Sequence, residues 1–317
     1  MIHINRYERD MADEWNLFCR SSKMPLFMFD RNYMDYHSDR FIDHSLMFYY
    51  NDELTAVLPA SQSGNTLVSH GGLTYGGLIT SAKMKQHIMN ECFEEMIGYC
   101  RSVGFESVYY KTIPHIFHVI PAEEDLYSLF INNAKIVKAE AATVVDLKSP
   151  QKMSDLRKRR ISKAKREGVA VEVRNTFDDF SEFVSLVNFV LAKYHNAKAV
   201  HTAEELYLLY SRFPDNIHLY AAIYHGEMIA GSLIFEYRDV IHTQYLAAND
   251  TARKIGGLDS VIQAIIDDYS EKKKWLDFGI STEEHGRVLN EGLISQKEGF
   301  GGRTNIYNTW ELRIQRC

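Results

Sequence analysis

The chain has 317 residues, a hydrophobic content of 45%, a charged content of 25% and a formal net charge of −6 at pH 7. This composition predicts a globular protein of about two domains and excludes a broadly cationic nucleic-acid-binding protein, although it leaves room for a local basic groove. Four cysteines without CxxC spacing predict neither a zinc site nor a disulfide framework. Without an apolar run of membrane-spanning length or a signal-peptide core, we expect a cytoplasmic protein.

Hydrophobic periodicity predicts alternating strands and helices in the first half of the chain. The predicted elements are a strand at 2–7, helices at 10–20 and 30–40, a hairpin of strands 45–50 and 54–60, a helix at 83–103 and a strand at 105–111. The Asn51-Asp52 dipeptide is typical of a hairpin turn.

The second half repeats this order of elements. The predicted elements are a hairpin of strands 218–225 and 228–237, a strand at 240–248, a helix at 258–270 and a strand at 275–280. The two hairpins resemble each other in sequence, with HSLMFYYNDELTAVLPA beginning at His44 and HLYAAIYHGEMIAGSLI beginning at His218. Because the offset is far longer than a solenoid repeat, we expect a duplicated domain, with domains at 1–150 and 151–317 and a boundary near Pro150.

A basic segment, LRKRRISKAKREG at 156–168, follows this boundary. Seven of the ten residues from Arg157 to Arg166 are basic, and Gly168 is placed to end a helix. A charge run of this kind is either a solvated helix face or a surface that binds phosphate. In the second case Arg159 and Lys163 are candidate substrate-binding residues.

The segment 275–303 contains six glycines, which predict tight turns or close approach of a ligand. Asp-Phe-Gly at 277–279, Gly-Leu-Ile at 292–294 and Gln-Lys-Glu-Gly-Phe-Gly-Gly at 296–302, with KREGV at 165–169, resemble the FemAB-like transferases. That family, with the BioF2-like acetyltransferase domain, is a branch of the GNAT acyltransferase superfamily. The resemblance implies an α/β (α+β) fold of two tandem GNAT-like domains, each with a mixed, mostly antiparallel sheet flanked by helices.

The resemblance also implies direct transfer, in which an amine attacks an activated acyl group in a groove between splayed strands. The groove is expected between strands 240–248 and 275–280, with Gly279 and Phe300 beside the substrate. No GxSxG, HExxH, GxGxxG or GxxxxGK[ST] pattern is present, so no covalent nucleophile, metal, dinucleotide or NTP site is predicted.

The resemblance assigns two residues to the reaction. Lys297 matches a family lysine that contacts the substrate and supports transfer, although Gln296 replaces the aromatic residue that precedes it. Tyr245 matches a position that faces the substrate. The alternatives are a lysine that complements a helix dipole and an ordinary strand aromatic.

General-base candidates come from titratable residues on predicted core strands or near the acceptor side of the groove. His242 and Asp277, with Glu236, lie on or beside the strands, and His195 and His201 lie between two helices. A lone histidine is more often structural, and the sequence does not rank these residues.

The acyl-CoA pyrophosphate loop of GNAT enzymes reads Gln or Arg, two residues, Gly, one residue, then Gly or Ala. This chain has Arg253-Lys254-Ile255-Gly256-Gly257-Leu258 at that place, with Leu258 in place of the last small residue. We expect Arg253, Lys254, Gly256 and Gly257 to bind the cofactor, a helix-capping glycine pair being the alternative.

Three functions follow from these observations. The first is an N-acyltransferase with an acyl-CoA donor and a small-molecule or cell-wall-precursor amine as acceptor. The second, implied by the FemAB resemblance, is transfer from aminoacyl-tRNA to a peptidoglycan precursor, although the heptad run of a coiled-coil arm is absent. The third is a non-catalytic tandem-GNAT binding protein. The oligomeric state stays open.

Overall fold

The computed structural model describes residues 1–195 and 197–315, and the side chain of the candidate His195 lies outside the described part. The chain forms two compact units. The first comprises Met1–Ala141, Thr282–Val288 and Ile306–Cys317, and the second comprises Ala142–Ser281 and Leu289–Asn305. The boundary near Pro150 stays a prediction about how the sequence divides into domains.

The first unit combines two groups of strands with four helices. Its strands are β1 (Ile2–Arg6), β2 (Ile42–Asp43), β3 (Leu46–Tyr50), β4 (Glu53–Leu58), β5 (Ser61–Ser63), β6 (Thr66–Val68), β7 (Ile79–Thr80) and β8 (Ser107–Lys111), and its helices are α1 (Ala12–Ser21), α2 (Arg31–Met34), α3 (Gln86–Val103) and α4 (Glu124–Ile131). One sheet has the order β1-β3-β4-β7, and the other strands follow the order β8-β6-β5-β2. The predicted β3–β4 hairpin is confirmed, since Asn51 and Asp52 have φ values of 50° and 64°, as a type I′ turn requires.

Helix α3 covers the core of this unit. Four apolar residues that recur at helical spacing in the sequence of α3, Ile88, Cys92, Met96 and Cys100, are all buried. Their spacing therefore indicated the buried face correctly. The predicted helix at 30–40 is shorter than expected, because α2 ends at Met34 and only a 3₁₀ turn at Asp35–His37 follows.

The second unit is built on one mixed sheet. Its elements are α5 (Asp155–Glu167), β10 (Ala170–Arg174), α6 (Phe177–His195), α7 (Ala203–Arg212), β11 (Ile217–Tyr224), β12 (Glu227–Glu236), β13 (Val240–Ala248), α8 (Asp250–Ile255), α9 (Gly257–Tyr269), β14 (Trp275–Ile280) and α10 (Glu291–Glu298). Strand β9 (Lys135–Asp146) contributes its last residues, and β15 (Thr282–Glu283), β16 (Val288–Leu289) and β17 (Arg303–Arg313) complete the chain. The strand order is β10-β11-β12-β13-β14-β9, and β13–β14 is the parallel pair among antiparallel neighbours.

Strands β13 and β14 separate along their length. Their parallel pairing covers Val240–Trp275, Ile241–Leu276 and His242–Asp277, while β13 continues to Ala248. Between β12 and β13 the register shifts, so that Gln244 is an extra residue of β13. A bulge of this kind bends a strand and ends regular pairing. The predicted opening between these two strands is therefore present, and it begins directly after His242.

The basic segment is a capped helix, α5, as predicted. Ser154 accepts a hydrogen bond from the backbone N–H of Arg157, and Gly168 ends the helix with a φ of 84°. Among the described helices, none is both long enough and apolar enough to cross a membrane. The described residues also contain no cluster of three or more His, Cys, Asp or Glu side chains suited to a metal ion.

Candidate active site

A cavity of about 560 Å³ opens in the second unit where β13 and β14 separate. This volume suits a small organic group. Its lining residues are Arg157, Arg160, Val190, Leu191, Thr243, Gln244, Tyr245, Leu246, Ala248, Ala252, Arg253, Leu258, Asp259, Phe278, Leu293, Gln296 and Lys297. We call this cavity the groove. It combines an apolar surface with three arginines and a lysine, and it includes three of the predicted site residues, Lys297, Tyr245 and Arg253.

Lys297 is a buried cation in the last turn of α10. Lys297 is 4% exposed, and its ammonium Nζ donates hydrogen bonds to the carbonyls of Gly279 at 3.0 Å and Ile280 at 2.6 Å. Burial lowers the pKa of Lys297 to about 8, and the negative charge of Asp277 opposes part of that effect. An ammonium has three donors, so two protein acceptors leave one N–H for another partner.

His242 and Asp277 are joined at the point where the strands separate. The His242 Nδ1 and an Asp277 carboxylate oxygen lie 2.7 Å apart, and both residues are buried. The other carboxylate oxygen accepts the backbone N–H of Gly279 at 2.9 Å. Gly279 has a φ of 66°, which favours glycine, and its carbonyl binds Lys297. The structure therefore links His242, Asp277, Gly279 and Lys297 in one hydrogen-bonded chain. His242 and Asp277 do not line the groove.

Tyr245 and His201 form a second hydrogen-bonded pair of predicted residues. The Tyr245 hydroxyl and His201 Nδ1 lie 2.7 Å apart, and His201 is buried. Burial raises the pKa of the Tyr245 hydroxyl above its ordinary value. His201 does not itself line the groove, but its hydrogen bond joins it to Tyr245, which does.

The candidate cofactor residues lie at a junction between α5, α8 and α9. Arg253 and Lys254 belong to helix α8 rather than to an open loop, and Gly256 ends that helix with a φ of 93°. A side chain at position 256 would collide with the backbone carbonyl of Arg160. Gly257 begins α9 and packs against Ala252. The glycine pair therefore allows close approach of α5.

Side chains of α5 also bind this junction. Asp259, in the first turn of α9, is 3% exposed and accepts hydrogen bonds from Arg157 Nη1 at 2.6 Å and Arg160 Nε at 2.9 Å. Arg160 also donates to the Arg253 carbonyl, and Lys163 Nζ donates to the Lys254 carbonyl at 3.1 Å. A carboxylate at a helix N-terminus complements the positive end of the helix dipole. Asp259 therefore occupies the position at which a phosphate would be favoured.

Two further candidates, Arg159 and Phe300, do not line the groove. Arg159 is exposed on α5, together with Lys158, Lys165 and Arg166. Phe300 is buried, with its ring centroid 5.8 Å from that of Phe278, so it packs behind a lining residue. Arg157, Arg160, Asp259 and Thr243 line the groove but were not singled out from the sequence. Of these four, the two arginines could have been found from the sequence, because they belong to the basic segment.

Comparisons with known proteins agree with this architecture. Residues 151–287 match the family model described as an acetyltransferase (GNAT) domain. No curated protein sequence matches the chain. The structure of FemX superimposes with a TM-score of 0.69 and 9% identity, covering 98% of this chain and 97% of that one.

Two further solved structures have the same fold. The C-terminal domain of a putative lysylphosphatidylglycerol synthetase from Agrobacterium fabrum has a TM-score of 0.64 and 11% identity, with 95% of this chain and 92% of that chain covered. A tandem GNAT protein from the clavulanic acid biosynthesis pathway has a TM-score of 0.54 and 8% identity, with 100% of both chains covered. At these identities the likeness concerns the fold, and it confirms the predicted tandem-GNAT class. Residues 151–287 thus match a GNAT acetyltransferase domain, and the whole chain has the fold of tandem-GNAT proteins.

Proposed function

We propose that this protein transfers an aminoacyl group from the 3′ ester of a charged tRNA to an amine acceptor. The observation that carries the proposal is the junction of α5 with α8 and α9. At the position of the GNAT pyrophosphate loop, a ligand phosphate would meet the Arg160 carbonyl and the Asp259 carboxylate. The carbonyl fills the space beside Gly256 and the carboxylate already occupies the N-terminus of α9, so a CoA pyrophosphate finds no open position there.

The basic surface of α5 supports a donor whose phosphates lie elsewhere. Lys158, Arg159, Lys165 and Arg166 are exposed, while Arg157 and Arg160 are engaged with Asp259. Exposed cations of this density attract a polyanionic backbone and make its binding dependent on salt. The FemAB resemblance and the name of the lysylphosphatidylglycerol synthetase both point to an aminoacyl donor.

Lys297 provides the chemistry in this proposal. The acceptor nitrogen forms a bond to the ester carbonyl carbon, the bond from that carbon to the ribose 3′ oxygen breaks, and the proton lost by the amine ends on the departing oxygen. The third N–H of Lys297 donates to the carbonyl oxygen as negative charge develops on it. The His242–Asp277 pair holds the Gly279 backbone that orients this lysine.

The acceptor in this proposal is the amine of a cell-wall precursor, as the FemAB resemblance implies. Transfer to any amine requires its uncharged form, so the acceptor must lose a proton before it attacks. Tyr245 and His201 are the candidates for this proton transfer. Tyr245 lines the groove, and His201 is hydrogen-bonded to it.

A thermal-shift titration tests the choice of donor. A ligand that binds only the native state raises the unfolding temperature with its concentration. We expect adenosine carrying a 3′-L-alanylamide, a stable mimic of the tRNA end, to raise the unfolding temperature, and acetyl-CoA to leave it unchanged. The reverse result would contradict the proposal.

An acyl-CoA-dependent N-acyltransferase is the second candidate. Arg253 and Gly256 match the GNAT loop pattern, and the family model that covers residues 151–287 is described as an acetyltransferase domain. This function would require α5 to move away from Gly256. Saturable stabilisation by acetyl-CoA in the same titration would favour it.

A further inference from the structure

Helix α6 carries three exposed aromatic side chains of the described second unit, Phe177, Phe189 and Tyr194. Phe189 is 51% exposed and Tyr194 is 45% exposed, and both rings lie beside cations. Lys193 Nζ lies 5.6 Å from the Phe189 ring centroid and 5.3 Å from that of Tyr194. The guanidinium carbon of Arg253 lies 4.3 Å from the Tyr194 centroid. We call Phe189, Lys193, Tyr194 and Arg253 the rim cluster.

The rim cluster continues one wall of the groove. Val190 lines the groove, and Tyr194, four residues later on α6, shares its helix face. Arg253 lines the groove itself and contacts the Tyr194 ring. The backbone carbonyl of Arg253 accepts a hydrogen bond from Arg160 of α5. The rim cluster therefore adjoins both the groove and the basic helix α5.

Neighbouring residues hold the Tyr194 ring in place. Its hydroxyl donates a hydrogen bond to one Asp250 carboxylate oxygen at 3.0 Å, and Lys193 Nζ donates to the other at 2.6 Å. Arg253 Nε donates to the Ala248 carbonyl at 3.2 Å, and no described residue accepts a hydrogen bond from its two Nη nitrogens. Because the ring and the guanidinium are already positioned, a ligand that contacts both loses little affinity to their ordering.

Exposed aromatic rings beside cations suit an unpaired nucleotide. Every base has a π-face that can stack on a ring, and arginine binds phosphate through its Nη nitrogens. The donor in the proposed function is a tRNA, whose single-stranded 3′ end has the sequence CCA. Its terminal adenosine carries the ester that enters the groove, so the two preceding cytidines lie toward the rim cluster.

We infer that a cytosine base of the tRNA 3′ end stacks on the Tyr194 ring, while Arg253 binds an adjoining phosphate. The inference rests on the proposed aminoacyl-tRNA donor. From the usual strength of base–aromatic stacking, we expect the loss of this contact to weaken binding by about fivefold or more.

The test compares two probes that differ only in the cytosine bases. The first is the trinucleotide CCA with a 3′-L-alanylamide, and the second has abasic riboses in place of both cytidines and keeps the phosphates. Isothermal titration calorimetry gives the Kd of each probe for the wild type and for Tyr194→Leu, Tyr194→Phe and Phe177→Leu. The wild type should bind the CCA probe about fivefold or more tightly than the abasic probe. Tyr194→Leu should lose this preference, and Tyr194→Phe should keep most of it because phenylalanine retains the ring.

Phe177→Leu is the matched control. It removes another exposed ring from α6, about 25 Å along the helix from Tyr194, and should keep the preference. Adenosine 3′-L-alanylamide, which lacks both cytidines, should bind all four proteins equally and so report an intact groove. A preference that survives in Tyr194→Leu, weaker binding of the adenosine probe by that variant, or equal binding of both trinucleotides by the wild type would overturn the inference alone. Binding of no probe by the wild type would contradict the proposed donor as well.

Discussion

Lys297 holds its charge in a buried site, so its titration reports on the chemistry of the groove. Its pKa is lowered to about 8 by burial, and the proposed role requires the protonated form. As pH rises through that value the donor is lost, so kcat/KM for the aminoacyl donor should fall. The acceptor amine has the opposite dependence, because it attacks only when uncharged. Together they predict a bell-shaped profile whose basic limb belongs to Lys297.

Two variants test whether the basic limb of the pH profile belongs to Lys297. Lys297→Met retains the apolar stem but removes the charge, so folding should survive while kcat falls by about 10²–10³. Asp277→Asn removes the negative charge that raises the Lys297 pKa, so the basic limb should move to lower pH. The measurement is kcat/KM as a function of pH for the three proteins. A wild-type rate in Lys297→Met would remove this residue from the mechanism, and a limb that stays in place in Asp277→Asn would assign it to another group.

Helices α5 and α9 meet through a glycine, and this contact can be tested by adding one carbon atom. Gly256→Ala places a methyl group against the Arg160 carbonyl and also strains a backbone with a φ of 93°. Gly168→Ala, at the end of α5, has the same kind of strain at a φ of 84° but no heavy atom within 4 Å of the added carbon. The free energy of unfolding should therefore fall in both variants, and by at least about 1 kcal/mol more for Gly256→Ala. Urea denaturation measures the difference, and equal losses would mean that the close contact with α5 has no energetic weight.

The same junction shows which elements the sequence could predict. Helix α5 and strands β13 and β14 were predicted within a residue or two, because local periodicity and capping residues define them. Strands β9 and β17 were missed, since several side chains along each are exposed or half-exposed and give no clear alternation. Gly256 was interpreted as part of an open phosphate loop. Its contact with Arg160 joins positions 96 residues apart in the chain, which a local pattern cannot indicate.

The candidate site, too, could be predicted from the sequence only in part. Lys297 and Tyr245 were found through the family resemblance, and the structure places both on the groove. The contact of Arg253 with the Tyr194 ring and the pairing of Asp259 with two arginines are properties of tertiary packing. Neither Tyr194 nor Asp259 is an unusual residue type at its position in the sequence, so no pattern distinguishes them.

At the scale of the whole molecule, the chain has a net charge of −6, yet the exposed surface of α5 is basic. If α5 binds a nucleic-acid backbone, replacing Arg159 and Lys165 with glutamine should weaken tRNA binding and flatten its dependence on salt. Lys272→Gln is the control, because it removes an exposed cation just beyond the C-terminal end of α9, about 20 Å along that helix from its junction with α5. Fluorescence anisotropy over a salt series gives the slope of log affinity against log salt concentration for each of the three proteins. Equal slopes in all three proteins would mean that the exposed cations of α5 do not contact the tRNA backbone.

The identity of the transferred group tests the central claim most directly. The protein is incubated with alanyl-tRNA and acetyl-CoA at equal concentrations and an amine-bearing cell-wall precursor, and the product is analysed by mass spectrometry, with Lys297→Met as the control. The proposed function predicts an alanylated acceptor that forms with the wild type and is lost in Lys297→Met, with no acetylated product. An acetylated acceptor whose formation depends on Lys297 would contradict it.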